Sequence, residues 1–132
     1  LLNTHCHLDH VFGNYFVSKK FGLTPKIHPE ERIVFDSVSR VAEMYGRNYT
    51  PSPEPQYYEN ESISLGEEKL EILFVPGHSP GHVAFYSSTN RLLISGDVLF
   101  KQSIGRTDLP GGNMEVLMNS IEEQLMPLPN EP

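Results

Sequence analysis

The sequence is poor in cysteine, in positive charge and in long apolar runs. Its only cysteine, Cys6, excludes an internal disulfide and favours a reducing, cytoplasmic location. Ten Lys and Arg residues stand against 17 Asp and Glu, and the net charge of −7 argues against a nucleic-acid partner. No apolar run approaches the length of a membrane-spanning helix, and no signal-peptide pattern opens the chain. No membrane partner is therefore expected.

The length of 132 residues, 38% of them hydrophobic, predicts one domain with its own core. The chain opens on "LLNT" instead of Met and stops after "LPNEP", which favours a portion of a longer protein. The Pro-rich stretch "TPSPEPQ" at residues 50–56 excludes a regular helix and a central strand there. We expect it to be an exposed connection within a partial domain that covers residues 1–132.

Helix and strand signals alternate along the chain and predict an α/β protein. The predicted elements are a strand end at residues 1–7, a helix from His10 to Phe21 with Asp9 as N-cap and Gly22 as C-cap, a short strand in "TPKIH", a helix that starts at Pro29, strands in "KLEILFVP", "HVAFYSS" and "RLLISGD", and a last helix from Asn113 to about Met126.

Candidate metal ligands are concentrated in "THCHLDH", residues 4–10. In a strand His5 and His7 point to the same face, because side chains alternate. Two imidazoles on one face can bind one ion. The chain then turns at Asp9 and His10, and this pair could reach a second ion beside the first.

Two further candidates follow strands much later in the chain. His78 in "GHSPGH" follows the strand that ends at Val75, and Asp97 in "SGD" follows the strand that ends near Ser95. Sites in α/β sheets gather at the carboxyl ends of strands. Neutral imidazole and carboxylate together suit zinc, with iron and manganese as alternatives.

Several residues in or near these segments have a purely structural interpretation. Asp9 could act only as a helix cap. His82 is expected to pack or hydrogen-bond near the site instead of binding metal, and His28 is expected to start a helix. Cys6 alternates to the face opposite His5 and His7, which is typical of a small core residue.

Four segments together resemble the metallo-β-lactamase superfamily, in the branch similar to hydroxyacylglutathione hydrolase. They are "HCHLDH", "GHSPGH", "SGDVLF" and "SIGRTDLPGG". The resemblance implies an αββα sandwich, here an incomplete portion of it, with a site for two zinc ions. It implies that the first ion is bound by His5, His7 and His78, the second by Asp9 and His10, and that Asp97 bridges both.

The same resemblance implies a metal-dependent hydrolase. It would cleave a small-molecule thioester or ester through a metal-bound hydroxide, with Asp9 as the catalytic residue that orients the nucleophile. The family also carries strands before the histidine motif and a last metal-binding histidine in a G-H-G-P-like segment, and these 132 residues contain neither. We therefore expect impaired catalysis in this chain and association into a homo-oligomer.

Two other functions are left open. One is an iron-dependent sulfur dioxygenase of the same superfamily, which resembles a single-iron site built from His5, His78 and Asp97. The other is a non-catalytic fragment that keeps the motif without the full site.

Arg106 and Asp108 follow the second ligand segment and have two interpretations. They could contact the substrate or support the ligands. A structural ion pair that holds the glycine-rich loop is preferred, because partly exposed charges are commonly structural and weak.

Overall fold

The computed structural model describes residues 1–129 and has a mixed α/β fold, as predicted. Its internal contacts divide the chain into two compact units, one from Leu1 to Tyr58 and one that begins at Glu59. The expectation of a single domain stays a prediction. Within the described part of the chain, none of the helices has the length and apolar composition needed to cross a membrane.

The first unit combines short helices with a small parallel sheet. Strands β1 and β2 are parallel, and Leu2 adds a parallel bridge to Lys26. Cys6, Val11 and Val38 are core residues of this unit. The elements are α1 (Leu8–Val11), α2 (Asn14–Phe21), β1 (Lys26–Ile27), a 3-10 turn (Pro29–Glu31), α3 (Arg32–Met44) and β2 (Gln56–Tyr57).

Two predictions for the start of the chain are wrong. The predicted strand through His7 is limited to the bridge at Leu2, because the Cys6 N–H donates to the Glu31 carboxylate instead of to a strand carbonyl. The predicted helix with Asp9 as N-cap is two helices. Asp9 lies inside the first turn of α1, and Gly13, with φ −92° and ψ 0°, separates α1 from α2.

Other local signals in this unit predicted the structure correctly. Gly22 ends α2 in the left-handed conformation, and its N–H donates to the Ser18 carbonyl. His28 caps the 3-10 turn that Pro29 begins, since its side chain accepts the Glu30 N–H. Residues 50–55 form neither helix nor strand. Proline lacks the N–H that both kinds of element require.

The second unit is a four-stranded antiparallel sheet followed by a hairpin and a helix. The strand order is β3-β4-β5-β6, and Asn113 caps α4 by accepting the Val116 N–H, as predicted. Only β4, β5 and β6 were predicted among its strands. The elements are β3 (Ser62–Leu65), β4 (Glu68–Phe74), β5 (Val83–Ser87), β6 (Leu92–Ile94), β7 (Leu99–Phe100), β8 (Ser103–Ile104), α4 (Met114–Ser120) and a π-helical continuation (Ile121–Leu125).

The direction of the strands brings two loops of this unit to one edge of the sheet. β4 and β6 both pair antiparallel with β5, so they run in the same direction and end at the same edge. The core of the unit includes Val75, Ala84 and Leu117, the last from α4. The segments that carry His78 and Asp97 thus leave the same edge of the sheet, with β5 between the two strands.

Gly77 provides a test of this packing. Its φ is +137°, and an added Cβ would lie 2.3 Å from the Leu117 Cα. We expect Gly77→Ala to lower the free energy of unfolding by about 2–4 kcal/mol, because both the strained backbone and the overlap oppose the folded state. Urea unfolding measures this change. Gly13→Ala, where the Cβ would meet nothing within 4 Å, should cost only about 0.5 kcal/mol. Equal losses in the two variants would contradict the packing at Gly77.

Candidate metal centre

The first candidate ligand group lies in the first unit, where three imidazoles converge. The ring centroid of His5 is 4.8 Å from that of His7 and 4.1 Å from that of His10. One ring nitrogen of His5 lies within 4.8 Å of a ring nitrogen of His7. His5 is buried, and the other two rings are half-buried. The two rings expected on one strand face are therefore close together although the strand itself is absent.

Asp9 stands at the exposed side of this group. Its side chain is 79% exposed, and its Oδ2 lies 3.5 Å from His10 Nε2. An open depression of about 610 Å³ adjoins the carboxylate. Its lining residues are Leu8, Asp9, Phe12, Tyr45 and Arg47. Water and small molecules can therefore reach Asp9.

Buried amides and a hydroxyl hold the backbone around the histidines. Asn3 and Asn14 donate to each other through their side-chain amides, at 3.1 and 2.8 Å. The same Asn3 amide donates to the His10 carbonyl, and Tyr58 donates to the Asn3 carbonyl. Satisfied buried polar networks rigidify the chain around them. The Thr4 hydroxyl, 3.0 Å from His5 Nδ1, also orients the His5 ring.

The second candidate group, His78 and Asp97, lies in the second unit. His78 Nε2 is 3.4 Å from Asp97 Oδ2. His78 Nδ1 lies 2.8 Å from the Arg106 carbonyl. A carbonyl can only accept, so Nδ1 carries a proton and Nε2 is the ring nitrogen that a metal ion could use. Outer hydrogen bonds of this kind fix the tautomer and orientation of metal-binding histidines.

His82 and Gly105 support Asp97 from two sides. The buried His82 accepts the Asp97 N–H at Nε2, at 3.1 Å, as expected for a histidine that hydrogen-bonds near the site. Gly105 packs so closely that an added Cβ would lie 1.8 Å from the Asp97 carbonyl oxygen. Only glycine permits this approach of the two backbones.

Cys6 is a small core residue, as expected, and Arg106 and Asp108 form an ion pair with each other. Cys6 is buried in the apolar cluster of the first unit, and burial, together with the nearby Glu31 carboxylate, raises the pKa of its thiol well above the usual range. Arg106 forms two hydrogen bonds to the Asp108 carboxylate, at 2.6 and 2.8 Å, and they hold the pKa of Asp108 below its usual value.

Sequence reasoning missed the residues that hold the ligand segments. Asn3, Asn14 and Gly105 follow no periodic pattern, and Glu31 is adjacent to Glu30 with the same side chain. The one local signal was the close spacing of Asn3 and Asn14 around the histidine motif. Their partners are defined by tertiary contacts, which no periodicity reveals.

The donors present suit a divalent transition metal. Imidazole nitrogens and carboxylate oxygens are the ligands preferred by zinc, iron and manganese. In each unit the donors are close enough to one another to share an ion, at separations below 5 Å. The predicted ligands His5, His7, Asp9 and His10 therefore cluster in one unit, and His78 and Asp97 cluster in the other.

Comparison with known proteins places the chain in the family that its motifs resemble. The family model described as the metallo-beta-lactamase superfamily matches residues 1–131. The chain is 40% identical to "Probable metallo-hydrolase YqgX" of Bacillus subtilis (strain 168), with 98% of this chain and 63% of that protein covered. It is 36% identical to "Hydroxyacylglutathione hydrolase GloC" of Haemophilus influenzae (strain ATCC 51907 / DSM 11121 / KW20 / Rd), with 97% and 62% covered.

A solved structure agrees with these relatives. The crystal structure of TTHA1623 in a di-iron-bound form matches with a TM-score of 0.82 and 35% identity, over 92% of this chain and 60% of that one. The match confirms the expected fold. The chain spans less than two thirds of the length of each of these proteins.

Proposed function

The chain belongs to the metallo-β-lactamase superfamily, and on that basis we propose that the natural protein carrying it is a metal-dependent hydrolase of small thioesters or esters. One observation supports this proposal most directly. The rings of His5, His7 and His10 converge beside an exposed carboxylate, that of Asp9. This is a concentration of metal-ligand chemistry that a purely structural segment does not need.

The proposed ligand assignment follows the resemblance. His5, His7 and His78 bind the first ion, Asp9 and His10 bind the second, and Asp97 bridges both. Zinc is the first choice of metal, and the di-iron form of a protein 35% identical supports iron as the alternative. When bound, a pair of such ions lowers the pKa of water and stabilises negative charge on a carbonyl oxygen.

The side chains of this protein then have distinct tasks. The exposed Asp9 carboxylate accepts a hydrogen bond from the attacking water and orients it toward the carbonyl carbon. The Arg106 carbonyl keeps the proton of His78 on Nδ1, so that Nε2 stays a ligand. His82 holds the backbone of Asp97 and thereby limits the positions of its carboxylate.

A thioester is the preferred substrate, because one relative is a hydroxyacylglutathione hydrolase. The depression beside Asp9 suits such a small molecule, since Phe12 and Leu8 offer apolar contact and Arg47 offers a cation. We also propose a cytoplasmic location, which the single cysteine supports because its thiol would remain reduced there. Nucleic acid and membrane have no part in this proposal.

The first-ion assignment predicts a loss of metal binding in His5→Ala. Zinc affinity of the metal-free protein, measured by calorimetry, should fall by more than about 100-fold. The loss of a ligand lowers metal affinity more than the loss of a residue that only orients a ligand. Lys101→Ala serves as the control, because the Lys101 side chain is exposed and is not an assigned ligand. Unchanged affinity in His5→Ala would rule out this assignment.

The proposed hydrolase function predicts thioester cleavage that depends on metal. In the natural protein that carries this chain, a chelator should stop turnover of a small acyl thioester, and added zinc should restore it. Asp9→Asn should lower kcat by about 100-fold or more, because the amide orients water poorly. The control is Asp36→Asn, which should leave kcat unchanged, because the Asp36 carboxylate pairs with Arg32.

Two other outcomes would support other functions. Oxygen consumption with a persulfide, without thioester cleavage, would support the sulfur dioxygenase. Inactivity toward both substrates would support a non-catalytic fragment.

Association of this 132-residue chain with itself is part of the proposal. Phe74, Leu92 and Ile94 of the four-stranded sheet are each more than 40% exposed, and exposed apolar faces and strand edges promote association. The weight-average mass in sedimentation equilibrium should therefore rise with concentration. Ile94→Lys should reduce that rise. A single mass equal to one chain at all concentrations would contradict the expectation.

A further inference from the structure

Glu30 and Glu31 are adjacent acidic residues at the start of a helix, but the structure places them very differently. Glu30 is exposed, whereas the Glu31 side chain has no exposed surface. A favourable effect on the helix dipole accounts for an exposed glutamate. It does not account for a fully buried one, because removing a carboxylate from water is costly unless the carboxylate gains strong hydrogen bonds.

The Glu31 carboxylate receives such a bond from the candidate ligand segment. Its Oε1 accepts the Cys6 N–H at 2.8 Å, across a sequence separation of 25 residues. Hydrogen bonds to an ionised acceptor are roughly twice as strong as neutral ones. The Cys6 N–H belongs to the peptide unit between His5 and Cys6. Because Cys6 stands between His5 and His7, this bond fixes part of the backbone that connects the two histidines.

The Glu31 bond acts together with the Asn3 and Thr4 contacts that hold the rest of this segment. Among the described residues, the strand pairing of this segment is the bridge at Leu2, and the Cys6 side chain lies in one apolar cluster with Val11 and Ile27. A rotation of the peptide about its neighbours would turn the His5 and His7 rings apart. Glu31 thus takes the role that a neighbouring strand has in a regular sheet.

We infer that Glu31 is a positioning residue that holds the His5-Cys6-His7 peptide so that both imidazoles face one metal ion. The inference rests on the proposed metal site. Glu31 itself does not bind the ion. It acts through the Cys6 N–H, and its removal should weaken metal binding while leaving every assigned ligand in place.

Zinc titration of the metal-free protein by calorimetry tests this role, together with the absorption spectrum of the cobalt-substituted protein. Glu31→Leu keeps most of the volume and removes the acceptor, and we expect zinc affinity to fall roughly tenfold or more. Glu31→Gln keeps an oxygen acceptor in nearly the same place, so its affinity and its cobalt spectrum should remain close to those of the wild type. Glu30→Leu is the matched control and should change neither.

The outcomes separate this inference from the proposed function. Wild-type zinc affinity in a folded Glu31→Leu variant overturns the positioning role and leaves the metal site intact. Absence of zinc binding by the wild-type protein overturns the metal site and the inference with it. If Glu31→Leu does not fold, Glu31→Asp replaces it, because a side chain shorter by one methylene keeps the charge but withdraws the oxygen from Cys6. The same tenfold loss is then expected, and unchanged affinity overturns the inference.

Discussion

The hydrogen bond from the Cys6 N–H to the buried Glu31 carboxylate joins the first candidate ligand group to a turn 25 residues later in the chain. A buried N–H must have a partner, and in the described part of the chain the Glu31 carboxylate provides it instead of an adjacent strand. Because the acceptor belongs to the 3-10 turn that Pro29 begins, the start of α3 and the histidine segment are positioned together. The apolar cluster around Cys6 excludes water from this bond, which strengthens it.

The same principle applies to the second ligand group, with different residues. His82 and the Arg106 carbonyl bind the backbone of Asp97 and the ring of His78. These partners are a neutral imidazole and a peptide oxygen. They orient the ligands without adding charge beside a metal ion. In both units the candidate ligands lie outside long helices and strand ladders, and hydrogen bonds from other segments orient them.

Helix and turn boundaries that depend on a single residue at the boundary were predictable from the sequence. Gly22 ended a helix because it adopts the left-handed conformation easily, Pro29 began a turn, and Asn113 capped α4. The clustering of His5, His7, Asp9 and His10 was predictable, because these residues recur at close spacing in one motif. Predictions that required knowledge of a distant partner were wrong. The strand through His7 is absent because Cys6 bonds to Glu31, and the first helix breaks at Gly13, beside the paired Asn3 and Asn14.

The sequence by itself determined the chemical types of the candidate ligands, the alternation of helices and strands, and the family to which the chain belongs. Each of these depends on residue identity and on spacing within a few positions. Only the tertiary structure decided which of two adjacent glutamates is buried, which nitrogen of His78 carries the proton, and which peptide the carboxylate of Glu31 holds. Burial and hydrogen-bond partners arise between residues tens of positions apart, and no local pattern in the chain encodes those distances.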